Sequence, residues 1–166
     1  MAKQLLIVRH AKSDWGNADL ADFDRPLNKR GHANAPEMAE RLVKQQIVPE
    51  LIVSSPALRA LTTAKYFAEV WGIPSDSILQ ESEIYEANVK SLLTVITNFD
   101  NQFNQIALFG HNPGLTDLAN YLSNGHIYNM PTSSVVIIEF PFDNWEEISA
   151  NTGKVLLFDY PKSLDD

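Results

Sequence analysis

The sequence contains no cysteine. Disulfides, thiolate nucleophiles, cysteine-ligated zinc and iron–sulfur clusters are therefore excluded together. The chain has four histidines, His10, His32, His111 and His126. No two of them have the H-x-x-x-H spacing of a metal-binding helix. We therefore expect no resident metal ion, and no segment of the sequence indicates another cofactor.

Long hydrophobic runs are missing as well. The apolar segments are too short to span a bilayer, and Arg9 interrupts the first of them too early for a signal peptide. Basic residues are not in excess, because 13 Lys and Arg against 21 Asp and Glu give a formal net charge of −8. A nucleic-acid surface needs a clustered basic face. We therefore expect no nucleic-acid partner, no membrane partner and a cytoplasmic location.

The order of the apolar patterns predicts the fold class. Runs with the length of strands occupy residues 5–8, 51–53, 78–79, 106–109, 135–140 and 155–158. Segments with a helical spacing of apolar residues lie between most of these runs. This alternation predicts an α/β fold, with a mainly parallel sheet and helices on both faces in a single three-layer domain over residues 1–166. A chain of 166 residues buries an adequate core without disulfides.

Capping residues define the predicted helix limits. Asn28 is expected to cap the first helix, and Pro36 inside that pattern predicts a kink or a later start. Asn112 as a cap, with Pro113 at the first helical position, is expected to begin the last helix. The predicted buried positions of the second helix are Leu58, Leu61, Ala64, Phe67 and Ala68.

Three of the predicted strands are followed by polar or charged residues that could bind a ligand or react with it. Arg9-His10 follows the first strand, Ser54-Ser55-Pro56 with Arg59 follows the second, and Gly110-His111-Asn112 follows the run at 106–109. Ligands of open α/β sheets collect at the carboxyl ends of the strands, so we expect these residues to meet. Two guanidinium groups can hold a phosphoryl group, and the positive charges around an imidazole keep it neutral and nucleophilic. The pattern predicts a phosphate site.

The same residues carry a resemblance to the histidine phosphatase superfamily, whose signature is Arg-His-Gly after the first strand. The matching residues are Leu6-Ile7-Val8-Arg9-His10-Ala11, Arg25-Pro26-Leu27-Asn28 with Gly31, Ser54-Ser55-Pro56 with Arg59-Ala60 and Thr63-Ala64, and Gly110-His111-Asn112-Pro113. The chain is most similar to the SixA-like phosphohistidine phosphatase branch, and Ala11 stands where the commonest signature has glycine. The resemblance implies a phosphoglycerate-mutase-like fold.

The resemblance also implies roles for four residues. His10 is the expected nucleophile that forms a phosphohistidine intermediate, Arg9 and Arg59 bind the phosphate, and His111 hydrogen-bonds the phosphoryl oxygens. Glu83 lies where the family often supplies its proton donor, and the alternative carboxylates are Glu81, Glu86 and Asp14. Other candidates for phosphate contact, for which capping of turns is the favoured interpretation, are Ser13, Ser55 and Asn112.

The favoured hypothesis is a metal-independent phosphatase that uses a covalent phosphohistidine and acts on protein phosphohistidine. The alternatives are a small-molecule phosphomonoesterase, a phosphoglycerate-mutase-like phosphotransferase and a non-catalytic module that binds phosphohistidine. Mutases of this superfamily enclose their substrate with extra segments, and this chain has little material for them. The expected partner is thus a phosphorylated protein or a small phosphate ester, and the expected state is a monomer or a weak homodimer.

Overall fold

The computed structural model describes residues 2–164. Their strands form one six-stranded sheet: β1 (Lys3–Arg9), β2 (Leu51–Ser54), β3 (Leu79–Gln80), β4 (Gln105–Gly110), β5 (Val135–Phe140) and β6 (Lys154–Asp159). The spatial order is β3-β2-β4-β1-β5-β6. Strands β3, β2, β4 and β1 are parallel, whereas β5 is antiparallel to β1 and β6 to β5. The prediction of a mainly parallel sheet is confirmed.

The register brings the ends of the parallel strands to one level. Arg9 at the end of β1 pairs with Gly110 at the end of β4, and Ser54 at the end of β2 pairs with Phe109. The residues that follow these three strands therefore emerge at the same edge of the sheet, where ligands of open α/β sheets bind.

Helices cover both faces of the sheet. The four α-helices among the described residues are α1 (Lys29–Lys44), α2 (Leu58–Trp71), α3 (Val89–Thr97) and α4 (Gly114–Ser123). Leu6 and Val8 of β1 belong to the hydrophobic core shared with α1 and α2, and Leu5 and Ile7 belong to the core shared with α3 and α4. Successive strand residues point to opposite faces, so β1 is buried on both sides. The three-layer α/β architecture is confirmed, and no helix among residues 2–164 is long and apolar enough to cross a membrane.

Some predicted helix details differ from the structure. Asn28 caps α1 as predicted, its Oδ1 accepting from the Gly31 amide at 2.8 Å. The helix does not start later because of Pro36, which lies inside it. Helix α4 begins at Gly114, so Pro113 occupies the cap position and not the first helical position.

The buried face at the start of α2 differs from the predicted one. Leu58 was expected in the core but is 42% exposed, whereas Arg59, Ala60 and Thr63 are buried. Hydrophobic spacing does not predict the buried residues here, because the start of α2 packs against the polar edge of the sheet. There the Ala11 amide donates to the Thr63 hydroxyl oxygen at 2.9 Å. Further along, Ala64, Phe67 and Ala68 are buried as predicted, and Leu61 is half-buried.

Helix α1 supports the segment that follows His10 through a close backbone approach. The Asn28 amide donates to the Lys12 carbonyl oxygen at 2.9 Å. A Cβ atom on Gly31 would lie only 2.2 Å from the same oxygen. A side chain at position 31 would therefore push the helix away from the segment that carries His10.

We predict that Gly31→Ala destabilises the protein by about 1–3 kcal/mol, because an added methyl group overpacks against backbone that has no room to move. Urea denaturation measures the change. Gly16→Ala is the matched control, because its added Cβ meets mainly the flexible Asp14 carboxylate, at 3.0 Å. Equal stability of the Gly31→Ala variant and the wild type would contradict the packing described above.

Candidate functional site

The structure brings together the four residues that the sequence singled out most strongly. Arg9 ends β1 and His10 follows it, Arg59 lies in the first turn of α2, and His111 directly follows β4. The ring centroids of His10 and His111 are 5.3 Å apart. The charges of Arg9 and Arg59 act on the pKa of both imidazoles. These residues form a candidate anion site at the carboxyl edge of the sheet.

His10 is fixed by its backbone and by one ring nitrogen. Its amide donates to the Gly110 carbonyl at 3.1 Å, and its carbonyl accepts from the Ser133 amide at 3.1 Å. The ring Nδ1 lies 2.7 Å from the Ala11 carbonyl oxygen. A carbonyl only accepts hydrogen bonds, so the proton of the neutral ring resides on Nδ1. The Nε2 lone pair is then available to attack an electrophile.

The surroundings of His10 keep this imidazole neutral. The pKa of His10 is lowered from 6.5 to about 3, chiefly because burial disfavours the imidazolium ion. The hydrogen bond to Ala11 opposes this shift, and the electrostatic effects of His111, Arg59 and Arg9 add to it. At neutral pH the ring therefore retains the lone pair that a nucleophile needs.

His111 is held by Ser55. Its Nε2 lies 2.8 Å from the Ser55 hydroxyl oxygen, which also accepts from the Ala57 amide at 3.2 Å. Burial, followed by the charge of Arg59, lowers the pKa of His111 to about 4. When the Ser55 hydroxyl donates to Nε2, the ring proton sits on Nδ1, a buried atom without a partner among the described residues. That N–H is a donor available to an anion.

Two guanidinium groups are held by their outer nitrogens. Arg59 donates from Nη1 to the Asp22 carbonyl at 2.7 Å and from Nη2 to the Asp22 carboxylate at 3.0 Å. Arg9 donates from Nη1 to the Met130 carbonyl at 2.8 Å. The Nε atoms of both arginines are buried and have no partner among the described residues. Each guanidinium group thus keeps an unpaired donor for a bound oxyanion.

A third arginine, Arg25, joins the site although it was not among the predicted catalytic residues. It is buried, with Nη1 donating to the Ser13 hydroxyl and Nη2 to the Asp22 carboxylate at 3.1 Å. Its guanidinium carbon lies 3.5 Å from the centroid of the Trp15 ring. The motif Arg25-Pro26-Leu27-Asn28 was the only sequence signal for this residue.

Asp22 connects these cations and was missed from the sequence. Its carboxylate accepts from Arg25, from Arg59 and, at 2.7 Å, from the Tyr85 hydroxyl. The Tyr85 hydrogen bond is the main reason why the pKa of Asp22 lies well below its usual range, followed by the bonds from the two arginines. The same bond raises the pKa of Tyr85. Asp22 lies in a polar loop with several aspartates and no periodicity, so no local pattern marked it.

Buried Ser133 and Ser134 were also missed. Their hydroxyl oxygens have no partner among the described residues. The Ser134 carbonyl accepts from the Arg9 amide at 3.1 Å, and the Ser133 amide binds the His10 carbonyl. These serines lie just before β5, a strand whose apolar pattern gave no reason to expect site residues there.

Glu83, the predicted proton donor, has no hydrogen bond or ion pair with the four central residues within residues 2–164. Its side chain is exposed, and its one hydrogen bond within residues 2–164 is a 3.5 Å contact from the Ser82 hydroxyl. It lines a cavity of about 410 Å³ that also includes Glu81 and is bordered by Val53 and Phe99. Neither His10 nor His111 lines this cavity. The role of Glu83 therefore stays a prediction.

Ser13 and Asn112, the predicted substrate contacts, are engaged within the protein. The Ser13 hydroxyl accepts from Arg25. Asn112 donates from Nδ2 to the Met130 carbonyl at 2.9 Å, and its Oδ1 accepts from the Thr116 amide at 3.1 Å. The same Met130 carbonyl accepts from Arg9 at 2.8 Å, so Asn112 and Arg9 share one acceptor. Contact of either side chain with phosphate remains a prediction.

The fold and the site together define an α/β protein with a candidate anion site built around His10 and His111. The family model of the histidine phosphatase superfamily (branch 1) matches residues 5–91. An uncharacterized chloroplastic protein of Arabidopsis thaliana is 30% identical over 161 residues, which cover 92% of this chain and 73% of that protein. The chain belongs to the histidine phosphatase superfamily. This membership confirms the predicted family and gives the coarse class of activity, an enzyme of the phosphatase and mutase type.

Solved structures share the fold over nearly the whole chain. A putative phosphohistidine phosphatase SixA from Agrobacterium tumefaciens has a TM-score of 0.81 and 24% identity, covering 97% of this chain and 99% of that chain. A protein histidine phosphatase SixA complexed with tungstate has a TM-score of 0.82, 24% identity and the same coverage. A 2,3-bisphosphoglycerate-dependent phosphoglycerate mutase of Cutibacterium acnes is 30% identical over 66 residues, only 39% of this chain and 26% of the mutase.

We predict that Asp22→Asn lowers kcat for p-nitrophenyl phosphate about tenfold or more, because Arg59 loses the carboxylate that positions it. The inhibition constant of inorganic phosphate should not rise in this variant, because the substitution removes a negative charge beside the anion site. Asp24→Asn is the matched control, an exposed aspartate two positions away with the same change of charge. A loss of phosphate binding in parallel with kcat, or equal losses in both variants, would contradict the positioning role.

The lowered pKa of His10 predicts how stability depends on pH. Below about pH 6.5 the unfolded chain protonates this histidine, whereas the folded protein does not until about pH 3, so acidification favours unfolding over this window. On going from pH 7 to pH 5, the free energy of unfolding should fall less for His10→Gln than for the wild type. The two decreases should differ by on the order of 2 kcal/mol. Urea denaturation at both pH values measures this difference. The exposed-histidine control His126→Gln should follow the wild type, and a His10→Gln variant that does the same would contradict a neutral buried His10.

Proposed function

We propose that the protein is a metal-independent phosphatase that forms a covalent phosphohistidine on His10 and whose substrate is protein phosphohistidine. The observation that carries this proposal is the state of His10. Its Nδ1 is bound to the Ala11 carbonyl, its pKa is lowered to about 3, and its Nε2 is unprotonated among cationic side chains. A neutral, oriented imidazole beside donors for an oxyanion is suited to attack on phosphorus.

In the first step the phosphoryl oxygens of the substrate bind the free donors of Arg9, Arg59 and His111. The Nε2 lone pair of His10 forms a bond to phosphorus, and the bond between phosphorus and the leaving group breaks. The leaving group departs with that electron pair and takes up a proton. Positive charge that develops on the His10 ring is stabilised through Nδ1–H by the Ala11 carbonyl, which lies 2.7 Å away.

In the second step a water oxygen attacks the phosphorus of phosphohistidine. The bond between phosphorus and Nε2 breaks, its electron pair returns to the ring, and inorganic phosphate leaves after the attacking water has lost a proton to the solvent. The guanidinium groups of Arg9 and Arg59 stabilise the equatorial oxygens in both steps, which is the electrostatic role that a metal ion has in other phosphoryl-transfer enzymes. On this basis neither step requires a metal ion.

Phosphohistidine is favoured over an ordinary phosphate ester because of the leaving group. An alkoxide needs a positioned acid, and Glu83 has no hydrogen bond or ion pair with the central residues of the site within residues 2–164. An imidazole leaving group acquires its proton much more readily. The TM-scores of 0.81 and 0.82 with the SixA structures support the same choice, whereas the mutase match is restricted to 39% of this chain.

A small-molecule phosphomonoesterase is the second candidate. The glucosyl-3-phosphoglycerate phosphatase Rv2419c, a mycobacterial protein solved with VO3, has a TM-score of 0.72 and 17% identity, and it covers 96% of this chain and 100% of that chain. This likeness concerns the fold alone. A substrate panel of phosphohistidine peptides and small phosphate esters separates the two candidates by their relative kcat/KM.

We predict that His10→Ala abolishes turnover and covalent labelling. Wild-type protein mixed with a ³²P-phosphohistidine peptide in the presence of EDTA should acquire an acid-labile, base-stable label, because Nε2 becomes phosphorylated without a metal. His126→Ala, which removes an exposed histidine, should be labelled like the wild type. Equal labelling of His10→Ala would remove His10 as the nucleophile.

Loss of wild-type activity in EDTA with recovery in a divalent ion would contradict metal independence.

We predict that Glu83→Gln separates the two kinds of substrate. Hydrolysis of an alkyl phosphate should fall on the order of a hundredfold if Glu83 donates the proton, whereas phosphohistidine hydrolysis should remain within about twofold of the wild type. Both rates are measured on the wild type, on Glu83→Gln and on the matched control Glu69→Gln, an exposed glutamate of α2 that is not a candidate donor. Equal losses on both substrates would show that Glu83 binds substrate or maintains the site, and no loss on either would exclude it as the acid.

A further inference from the structure

A second concave surface lies beside the site and is lined by positive charge. It is a cavity of about 280 Å³, here called the basic groove, whose lining includes Lys12, Arg30, Asn34, Thr132, Tyr160 and Lys162. The three cations are exposed. None of the residues to which we assign phosphate chemistry lines this groove. It is therefore a separate feature that the proposed reaction does not explain.

The basic groove opens at the same edge of the sheet as His10. Lys12 is two residues beyond His10, a separation of at most about 7 Å along the chain. Thr132 precedes Ser133, whose amide binds the His10 carbonyl at 3.1 Å. Tyr160 follows β6, whose last residue pairs with the first residue of β5. A chain bound in the groove would thus pass close to the phosphorylated residue.

The cations of the groove have no acidic partner within residues 2–164. The ion pairs of that region involve Arg25, Arg41 and Arg59, and none involves a groove cation. The nearby carboxylates of Glu37 and Asp159 are both bound by Arg41, at 2.8 and 3.5 Å. Three cations without an acidic partner in the described part of the chain therefore line one cavity, in a protein whose net charge is −8. Their field attracts an anionic group from outside the protein.

The walls of the groove are held in place by the fold. Arg41 of α1 donates to the Tyr160 carbonyl at 2.9 Å and to the Pro161 carbonyl at 2.8 Å, which fixes the segment after β6 against the helix. On the other side, the Lys12 carbonyl is bound by the Asn28 amide at 2.9 Å. A preformed surface binds a ligand without the cost of ordering its own backbone.

We propose that the basic groove binds an acidic segment of the phosphoprotein substrate and thereby selects which phosphohistidine reaches His10. This inference rests on the proposed function. The groove volume fits one or two carboxylate side chains, and its position beside His10 places them within a few residues of the phosphorylated histidine. A nucleic acid is disfavoured as occupant, because the remainder of this acidic chain repels a long polyanion.

The test compares two peptides that each contain a single histidine phosphorylated with phosphoramidate. One peptide carries glutamates roughly two to five positions from the histidine, and the other carries glutamines at the same positions. This spacing is chosen because an extended chain rises about 3.3 Å per residue. The wild type should prefer the acidic peptide about tenfold in kcat/KM, and added salt should reduce this preference. Arg30→Glu with Lys162→Glu should abolish the preference and leave p-nitrophenyl phosphate hydrolysis within about twofold of the wild type.

The matched control is Lys65→Glu with Lys90→Glu, two exposed lysines outside the groove with the same change of net charge. It should keep the preference. A preference that survives in the groove variant, or that is lost equally in the control, would overturn the proposal, as would a wild type that hydrolyses both peptides equally. If the wild type hydrolyses p-nitrophenyl phosphate but neither peptide, the proposed substrate class fails and the docking proposal falls with it. Arg30→Gln with Lys162→Gln replaces the groove variant if charge reversal prevents folding.

Discussion

A neutral imidazole held inside a cluster of guanidinium groups is the constraint on which this site depends. Burial is the main cause of the low pKa of His10, and the charges of Arg59 and Arg9 act in the same direction. A protonated ring would have no lone pair for phosphorus, so the features that disfavour the charge also preserve the nucleophile. The Ala11 carbonyl then determines that Nδ1 keeps the proton. The reactivity proposed for His10 thus comes from its surroundings.

The guanidinium groups themselves need to be held when no anion is bound. Asp22 holds two of them, Arg25 and Arg59, whereas Arg9 is bound by the neutral Met130 carbonyl. The Asp22 side chain is about half exposed, so solvent screens part of this interaction. One carboxylate among three arginines leaves the site with an excess of positive charge, which suits a phosphoryl group. The arrangement orients the arginines and does not neutralise them.

Superfamily membership and the geometry of the site answer different questions. Membership gives the class of enzyme, while the geometry bears on which bond is broken. The free Nε2 of His10 and the unpaired donors of Arg9, Arg59 and His111 support phosphoryl transfer to histidine. Within residues 2–164, the carboxylate bonded to these four residues is that of Asp22, whose pKa lies well below its usual range, so it holds no proton to donate near neutral pH. A site without such a donor favours a leaving group that needs little help from an acid.

The elements of the fold and the central four residues of the site were predictable because their signals are local. The apolar run before Arg9 and the cap at Asn28 specify a strand and a helix within a few residues of sequence. Parallel pairing then brings strand ends together at one edge, so Arg9, His10, Arg59 and His111 were expected to meet. The buried position predicted for Leu58 was wrong, because the first turn of α2 packs on polar residues that hydrophobic spacing does not describe.

The sequence by itself determined the strands, the helices and the residues at the ends of the parallel strands. Only the tertiary structure decided what holds those residues and which other groups join them. Asp22 is bound by an arginine 37 positions away, and Met130 by one 121 positions away. Periodicity and capping report on neighbours along the chain, whereas the packing of the whole sheet and its helices brings such distant groups into contact.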